Sequence, residues 1–214
     1  MSTNVKLSIA MVVAAVALTL VAANLGNGDS GDGTEAESAT DVPVVRPDSQ
    51  RLSTGDSDVT FVEFLDFECE ACRAAHPAVE QLREEYGDRV TFVVRNFPLH
   101  ANSEAAARAA EAAAEQGKFE EMYDLLFETQ PEWGEKQTSQ EEVFFGFAED
   151  LDLDMADFRA VYDDPATLEK IRRDKADGEA LRVTGTPSFF LDGEKLEVQS
   201  FQELVERLEQ AIDA

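Results

Sequence analysis

The chain has 214 residues, 43% of them hydrophobic, enough for one domain with a sizeable core. Its 45 acidic and 18 basic residues leave a net charge of −27, which repels nucleic acid and anionic lipid head groups and argues against both as partners. Twelve of the basic residues are Arg and six are Lys; an acidic, Lys-poor surface suits a halophile's high-salt surroundings, where screening over a few ångströms removes self-repulsion.

At the N-terminus Lys6 is the one charge before an uncharged run from Leu7 to Ala23. That run is long for a signal-peptide core and short for a spanning helix, and Val21-Ala22-Ala23 offers small residues for cleavage. Residues 1–24 are therefore expected to be a signal peptide or an N-terminal membrane anchor, and both place the remainder outside the cytoplasm. Residues 25–57 read as a disordered acidic linker: Gly26, Gly28, Gly31 and Gly33 alternate with Asn, Asp and Ser, and Pro43 and Pro47 keep the chain extended. The folded domain is expected over 58–214, as a monomer.

Val59 to Leu65 is an apolar run that reads as a buried strand, and Ala74 to Leu82 carries apolar residues at helical spacing. Gly87-Asp88 ends that helix near Tyr86, and Arg89 to Arg95 reads as a second strand. A strand–helix–strand unit of this length implies a parallel pair. A helical block follows over about 102–182. Its first helix is Ala-rich and ends at Gly117. The second, Lys118 to Thr129, puts Phe119, Met122, Leu125 and Leu126 on one face. Ser139-Gln140-Glu141-Glu142 reads as a capping box, Asp154 as a cap, and Pro165 as the first turn of a final helix. Strands then return: Ser188 to Leu191 and Lys195 to Val198 flank Asp192-Gly193, a hairpin signal, and Ser200-Phe201-Gln202-Glu203 caps a terminal helix.

The chain's two cysteines sit together as Cys69-Glu70-Ala71-Cys72, where the first strand hands over to a helix. That is a redox-site pattern. The helix N-terminus directs free N–H groups and a positive dipole end at Cys69, favouring the thiolate that attacks disulfides. Cys69 is expected to be the exposed nucleophile, and Cys72, one turn inside the helix, the resolving thiol. As a structural bridge the pair would close almost no loop and add little stability. Glu63, six residues before Cys69 in an apolar strand, either faces solvent at an edge or lies beneath the thiols. In the second case burial raises its pKa and lets it exchange a proton with Cys72. Thr186-Pro187 reads as a turn ahead of a strand. His100 follows the second strand and His76 lies four residues after Cys72. The Cys-x₂-Cys-x₃-His spacing is too short for a zinc finger, and Arg73 stands where a c-type haem needs His. No metal or other cofactor is expected.

The segment Val62-Glu63-Phe64-Leu65-Asp66-Phe67-Glu68-Cys69-Glu70-Ala71-Cys72 resembles the active-site segment of DsbA-like thiol–disulfide oxidoreductases of the thioredoxin superfamily. The helical block, Thr186-Pro187, the hairpin and the terminal helix are similar to that family as well, so the resemblance covers 58–213. It implies an α/β thioredoxin fold with an inserted helical domain. It implies that Cys69 is the nucleophile, Cys72 its resolving partner and Glu63 the family's buried carboxylate. It also implies that Pro187 is cis, with Thr186 offering its backbone to a client peptide beside Cys69. The expected activity is disulfide exchange with client proteins, oxidation rather than reduction, with a membrane redox partner recycling the pair. The family's strong oxidants commonly carry Pro-His between the cysteines. Here Glu70-Ala71 supplies no imidazole, and Asp66, Glu68 and Glu70 add like charge against a Cys69 thiolate. A rival of another class is a non-enzymatic copper carrier built from Cys69, Cys72 and a His.

Overall fold

The structure, a computed structural model, describes residues 42–198 and 200–214. The expected targeting segment and residues 25–41 of the expected linker lie outside the described residues. Within them the elements run β1 (Gln50–Arg51), β2 (Thr60–Leu65), α1 (Glu70–Tyr86), β3 (Thr91–Asn96), α2 (Ser103–Ala114), α3 (Phe119–Glu128), α4 (Gln130–Trp133), α5 (Glu141–Asp150), α6 (Met155–Asp163), α7 (Pro165–Ala180), β4 (Ser188–Leu191), β5 (Glu194–Lys195) and α8 (Phe201–Ile212).

The sheet order is β1-β3-β2-β4-β5. β2 is central: it pairs parallel with β3, as the strand–helix–strand reading requires, and antiparallel with β4. Alternation along β2 divides the core. Val62 and Phe64 join Val93, Phe97, Val183 and Phe190 on one face. Phe61 and Leu65 join Phe92, Val94, Cys72 and Leu82 on the other. Glu63, between Phe61 and Leu65 in period two, is therefore on the face covered by the helix that carries the cysteines.

Between β3 and β4 stands the helical block. α2 packs against α3, α5, α6 and α7. Its buried residues are mostly Ala (106, 107, 109, 110, 112 and 113), which let four helices approach one backbone closely. α7 returns to pack on β3. Gly178 makes that approach possible: a Cβ there would lie 2.7 Å from ring carbons of Phe97 and 3.0 Å from one of Phe64. Gly178→Ala is expected to destabilise the fold by about 1–3 kcal/mol through overpacking, read as a lower denaturant midpoint at unchanged slope.

Several boundaries differ from the sequence reading. The C-terminal part of the expected linker is structured: β1 pairs antiparallel with β3, and Leu52 and Ser49 are buried. Arg95, fully buried in β3, explains the ordering. It donates to Asp174 and Asp177 of α7 and to the carbonyls of Pro43 and Val44, while Arg46 pairs with Asp177. A buried guanidinium needs every donor satisfied, and the segment around residues 43–46 supplies the missing acceptors. The domain thus begins well before 58. The cap of α5 is Gln140 rather than Ser139; Ser139 Oγ accepts from the Glu141 N–H, and Asn102 Oδ1 holds the Gln140 N–H. The second hairpin strand is only Glu194–Lys195. Asp192 and Gly193 take positive φ at the turn, Asp154 caps α6, and Ser200 caps α8 by accepting from Glu203 N–H.

Candidate active site

The turn from β2 into α1 makes Cys69 the N-cap of α1, with extended backbone angles and no side-chain cap hydrogen bond. Both cysteines are free; Cys69 is partly exposed and Cys72 fully buried. The Cys69 pKa is pulled down to about 5. The largest cause is the hydrogen bond from the Cys72 thiol, which outweighs the cost of burial. The N–H groups of Cys72 and Ala71 add to it. These are the orphan donors of a helix start, satisfied here by a thiolate. When protonated, Cys69 Sγ donates instead to the Thr186 carbonyl at 3.4 Å. The Thr186–Pro187 bond is cis, as the resemblance implied.

Cys72 titrates in the opposite direction. Burial pushes its pKa well above the ordinary thiol range, and the hydrogen bond to Cys69 and the charge of Glu63 push it further. Glu63 is 3% exposed. Its pKa rises to about 8, chiefly through burial, then through the charges of Glu80 and Cys69. The expected edge-facing alternative for Glu63 is therefore not what the fold adopts. Tyr123 of α3, fully buried, shares this interior: its hydroxyl has no hydrogen-bond partner, and burial with the charges of Glu63, Glu80, Asp124 and Cys72 keeps it a neutral phenol.

The backbone carrying Cys69 is fastened by side chains whose partners no sequence motif singled out. Gln130, at the start of α4, donates to the carbonyls of Phe67 and Cys69 and accepts from Arg73 Nε. Glu68 is buried and accepts from the Asn102 N–H at 2.6 Å and the Glu135 N–H at 3.0 Å. Asp66 is buried and accepts from the N–H groups of Glu68 and Leu99. His100 Nδ1 lies 2.6 Å from Asp66 Oδ2. Gln130 carries no spacing signal and was legible only as an ordinary polar residue; Asp66, Glu68 and His100 were legible in the sequence, but their partners were not. The carboxylates of Asp66 and Glu68, expected to oppose the thiolate, are instead engaged by backbone N–H donors.

Cys69 opens into a cavity of about 680 Å³ lined by Glu68, Cys69, Glu70, Ala71, His100, Ala101, Glu135 and Gln137. His76 lies elsewhere, against Tyr123 and Phe127, with Nε2 3.6 Å from Asp124. Among the described residues the metal-capable side chains that converge are His76, Glu80 and Asp124, and the cysteines do not join them. The ligand set of the copper-carrier reading is therefore not assembled in this fold.

The thioredoxin family profile matches residues 50–214. The chain belongs to the thioredoxin family. In fold it is similar to alpha-DsbA1 of Wolbachia pipientis, with a TM-score of 0.71 at 18% identity over 82% of this chain and 96% of that one. A thioredoxin-like oxidoreductase from Silicibacter pomeroyi superposes with a TM-score of 0.68 at 28% identity, over 82% of this chain and 98% of that one. BdbD from Bacillus subtilis gives 0.68 at 20% identity over 78% and 94%, a likeness of fold. Among curated proteins, the Na(+)/H(+) antiporter NhaA of Herminiimonas arsenicoxydans is 37% identical over 155 residues, 72% of this chain but 24% of the antiporter. The chain thus spans about a quarter of the length of the curated relatives it matches. No helix among the described residues is long and apolar enough to cross a membrane.

Proposed function

We propose that the protein is an extracytoplasmic thiol–disulfide oxidoreductase that donates a Cys69–Cys72 disulfide to client proteins. The observation that carries the reading is the placement of the two free thiols: Cys69 partly exposed at the start of α1 with its sulfur 3.4 Å from the Thr186 carbonyl, and Cys72 buried one turn behind it. A client thiolate attacks Cys69 Sγ; the client–Cys69 bond forms, the Cys69–Cys72 bond breaks, and Cys72 leaves and takes a proton. Glu63, neutral below about pH 8, is the proton donor for Cys72 in this direction and the acceptor in reverse. A second client thiolate then attacks the client sulfur and releases Cys69 as a thiolate. The client dithiol is oxidised and the pair reduced. A leaving thiol with a low pKa departs readily, and stabilising the reduced form makes the disulfide more oxidising. The carbonyl of Thr186 beside Cys69 serves as the backbone partner of an extended client segment, with Pro187 setting its direction. A membrane redox partner reoxidises the pair, and residues 1–24 deliver the domain to that compartment.

The test is the reduction potential of the pair by equilibration with glutathione, together with oxidation of a reduced, unfolded protein. A potential closer to about −120 mV than to about −270 mV, with client oxidation, is the expected result. A value at the thioredoxin end with insulin reduction would reverse the direction. A further expected outcome is selective alkylation at pH 6: iodoacetamide should label Cys69 and spare Cys72, as read by peptide mass spectrometry.

A further inference from the structure

The dipeptide between the cysteines offers no cation, yet the cavity onto which Cys69 opens contains one imidazole. His100 sits in the loop between β3 and α2, its Nδ1 2.6 Å from the buried carboxylate of Asp66. Its backbone N–H is held by Ser103 Oγ at 3.0 Å. The Asp66 side chain is fully buried, whereas that of His100 is 48% exposed and lines the same 680 Å³ cavity as Cys69. With Asp66 accepting, Nδ1 must carry the ring's first proton, so Nε2 is the nitrogen free to gain and lose the second.

We propose that His100, anchored by Asp66, is the cationic partner of the Cys69 thiolate, supplying from the β3–α2 loop the positive charge that Glu70-Ala71 lacks. The proposal rests on the reading of Cys69 as the nucleophile and adds a positioning residue to that same site. Burial works against the imidazolium, but the hydrogen bond and charge of Asp66 and the charges of Cys69 and Glu68 outweigh it, so the His100 pKa is raised. The other charged groups facing the cavity are Glu70 of α1 and Glu135 from the loop after α4. Lys175 of α7 is turned to the Pro98 carbonyl instead. Glu68 is already saturated by the Asn102 and Glu135 N–H groups, which leaves Cys69 the group in this cavity whose charge changes during the redox cycle. The coupling is reciprocal: whatever factor a charged His100 adds to Cys69 ionisation, a Cys69 thiolate adds to His100 protonation. Forming the Cys69–Cys72 disulfide removes that negative charge, so the imidazole loses part of its support on oxidation.

The experiment uses the reduced full chain at low salt, with thiolate absorbance followed against pH in the wild type, His100→Ala, His100→Asn and His100→Lys. His100 is exposed enough that none of these should prevent folding. His100→Ala is expected to raise the Cys69 pKa by about one unit, a tenfold change in the thiol–thiolate equilibrium. His100→Asn keeps a donor for Asp66 without the charge and should behave like Ala; His100→Lys should hold the wild-type value. In the wild type, NMR titration of the His100 ring should give a higher pKa in the reduced protein than in the disulfide form. Equal Cys69 pKa values in wild type and His100→Ala would overturn the proposal. So would a wild-type value in His100→Asn, which would assign His100 a purely structural role, or a value in His100→Lys as high as in Ala. None of these readouts needs a client. A protein whose thiolate responds as expected but exchanges with no client would therefore defeat the oxidoreductase reading and leave the His100 coupling standing.

Discussion

Cys69→Ser is expected to abolish disulfide exchange outright, and Cys72→Ser to accumulate covalent client complexes. The asymmetry follows from burial: Cys72 is inaccessible to a protein substrate, whereas Cys69 is partly exposed at the helix start. With Cys72 replaced, a client disulfide still accepts attack from Cys69, but no thiol stands behind the mixed disulfide to resolve it. The two replacements at 72 also separate two roles of that side chain. The hydrogen bond from Cys72 is the largest cause of the low Cys69 pKa. Ser can still donate, so Cys72→Ser should keep the Cys69 pKa low. Cys72→Ala cannot, and the pKa should climb by about 1–2 units. Non-reducing electrophoresis with mass spectrometry reads the trapped complexes, and thiolate absorbance reads the pKa. Trapping by Cys69→Ser and not by Cys72→Ser would reverse the roles.

The elements legible in the sequence are those whose signal is local. Asp154 caps α6, Pro165 opens α7, Asp192-Gly193 turns the hairpin, and the CxxC sits at a helix start; each is decided within a few residues. What was illegible depends on partners far along the chain. β1 is two residues long and has no periodicity, and it exists because β3 offers an open edge. Arg95 reads as a polar position in a strand, yet its acceptors come from Asp174 and Asp177, 79 and 82 residues away, and from Pro43 and Val44, 52 and 51 residues away. The candidate site divides in the same manner. Cys69, Cys72 and the Thr186-Pro187 step were found by motif and resemblance. Gln130 and His100 reach the nucleophile's turn from elements that only the folded chain brings to it, and the adjacent Glu68 and Asp66 find their partners Asn102, Glu135 and His100 only there.

Glu63 links stability to chemistry, and Glu63→Gln is expected to stabilise the protein while slowing it. The carboxyl is buried among apolar side chains, and its pKa rises from an ordinary 4.5 to about 8. Below the unfolded value both states carry the proton, and Glu63 adds no pH dependence. Between 4.5 and about 8 the unfolded chain releases the proton and the folded one retains it, so stability falls as pH rises. Above the folded value the loss is complete. At pH 7 the deficit is about 3 kcal/mol, since each pK unit corresponds to about 1.36 kcal/mol. Gln does not titrate, so the variant should match the wild type at pH 4 and exceed it by about that amount at pH 7 in denaturant unfolding. The kinetic consequence has the opposite sign. Burial makes the Cys72 thiol a poor acid, and attack on a mixed disulfide requires it to lose its proton. An ionised Glu63 accepts that proton, so the rate of resolution in the wild type should rise with an apparent pKa near 8. In Glu63→Gln the step should be slower and the inflection absent. Stability and rate then respond to one titration from opposite sides: the free energy that destabilises the fold at neutral pH is the same one that holds Glu63 poised to move a proton. A variant with an unchanged pH–rate profile would remove Glu63 from the mechanism, and one with an unchanged pH–stability slope would show that its carboxyl does not titrate in the folded core.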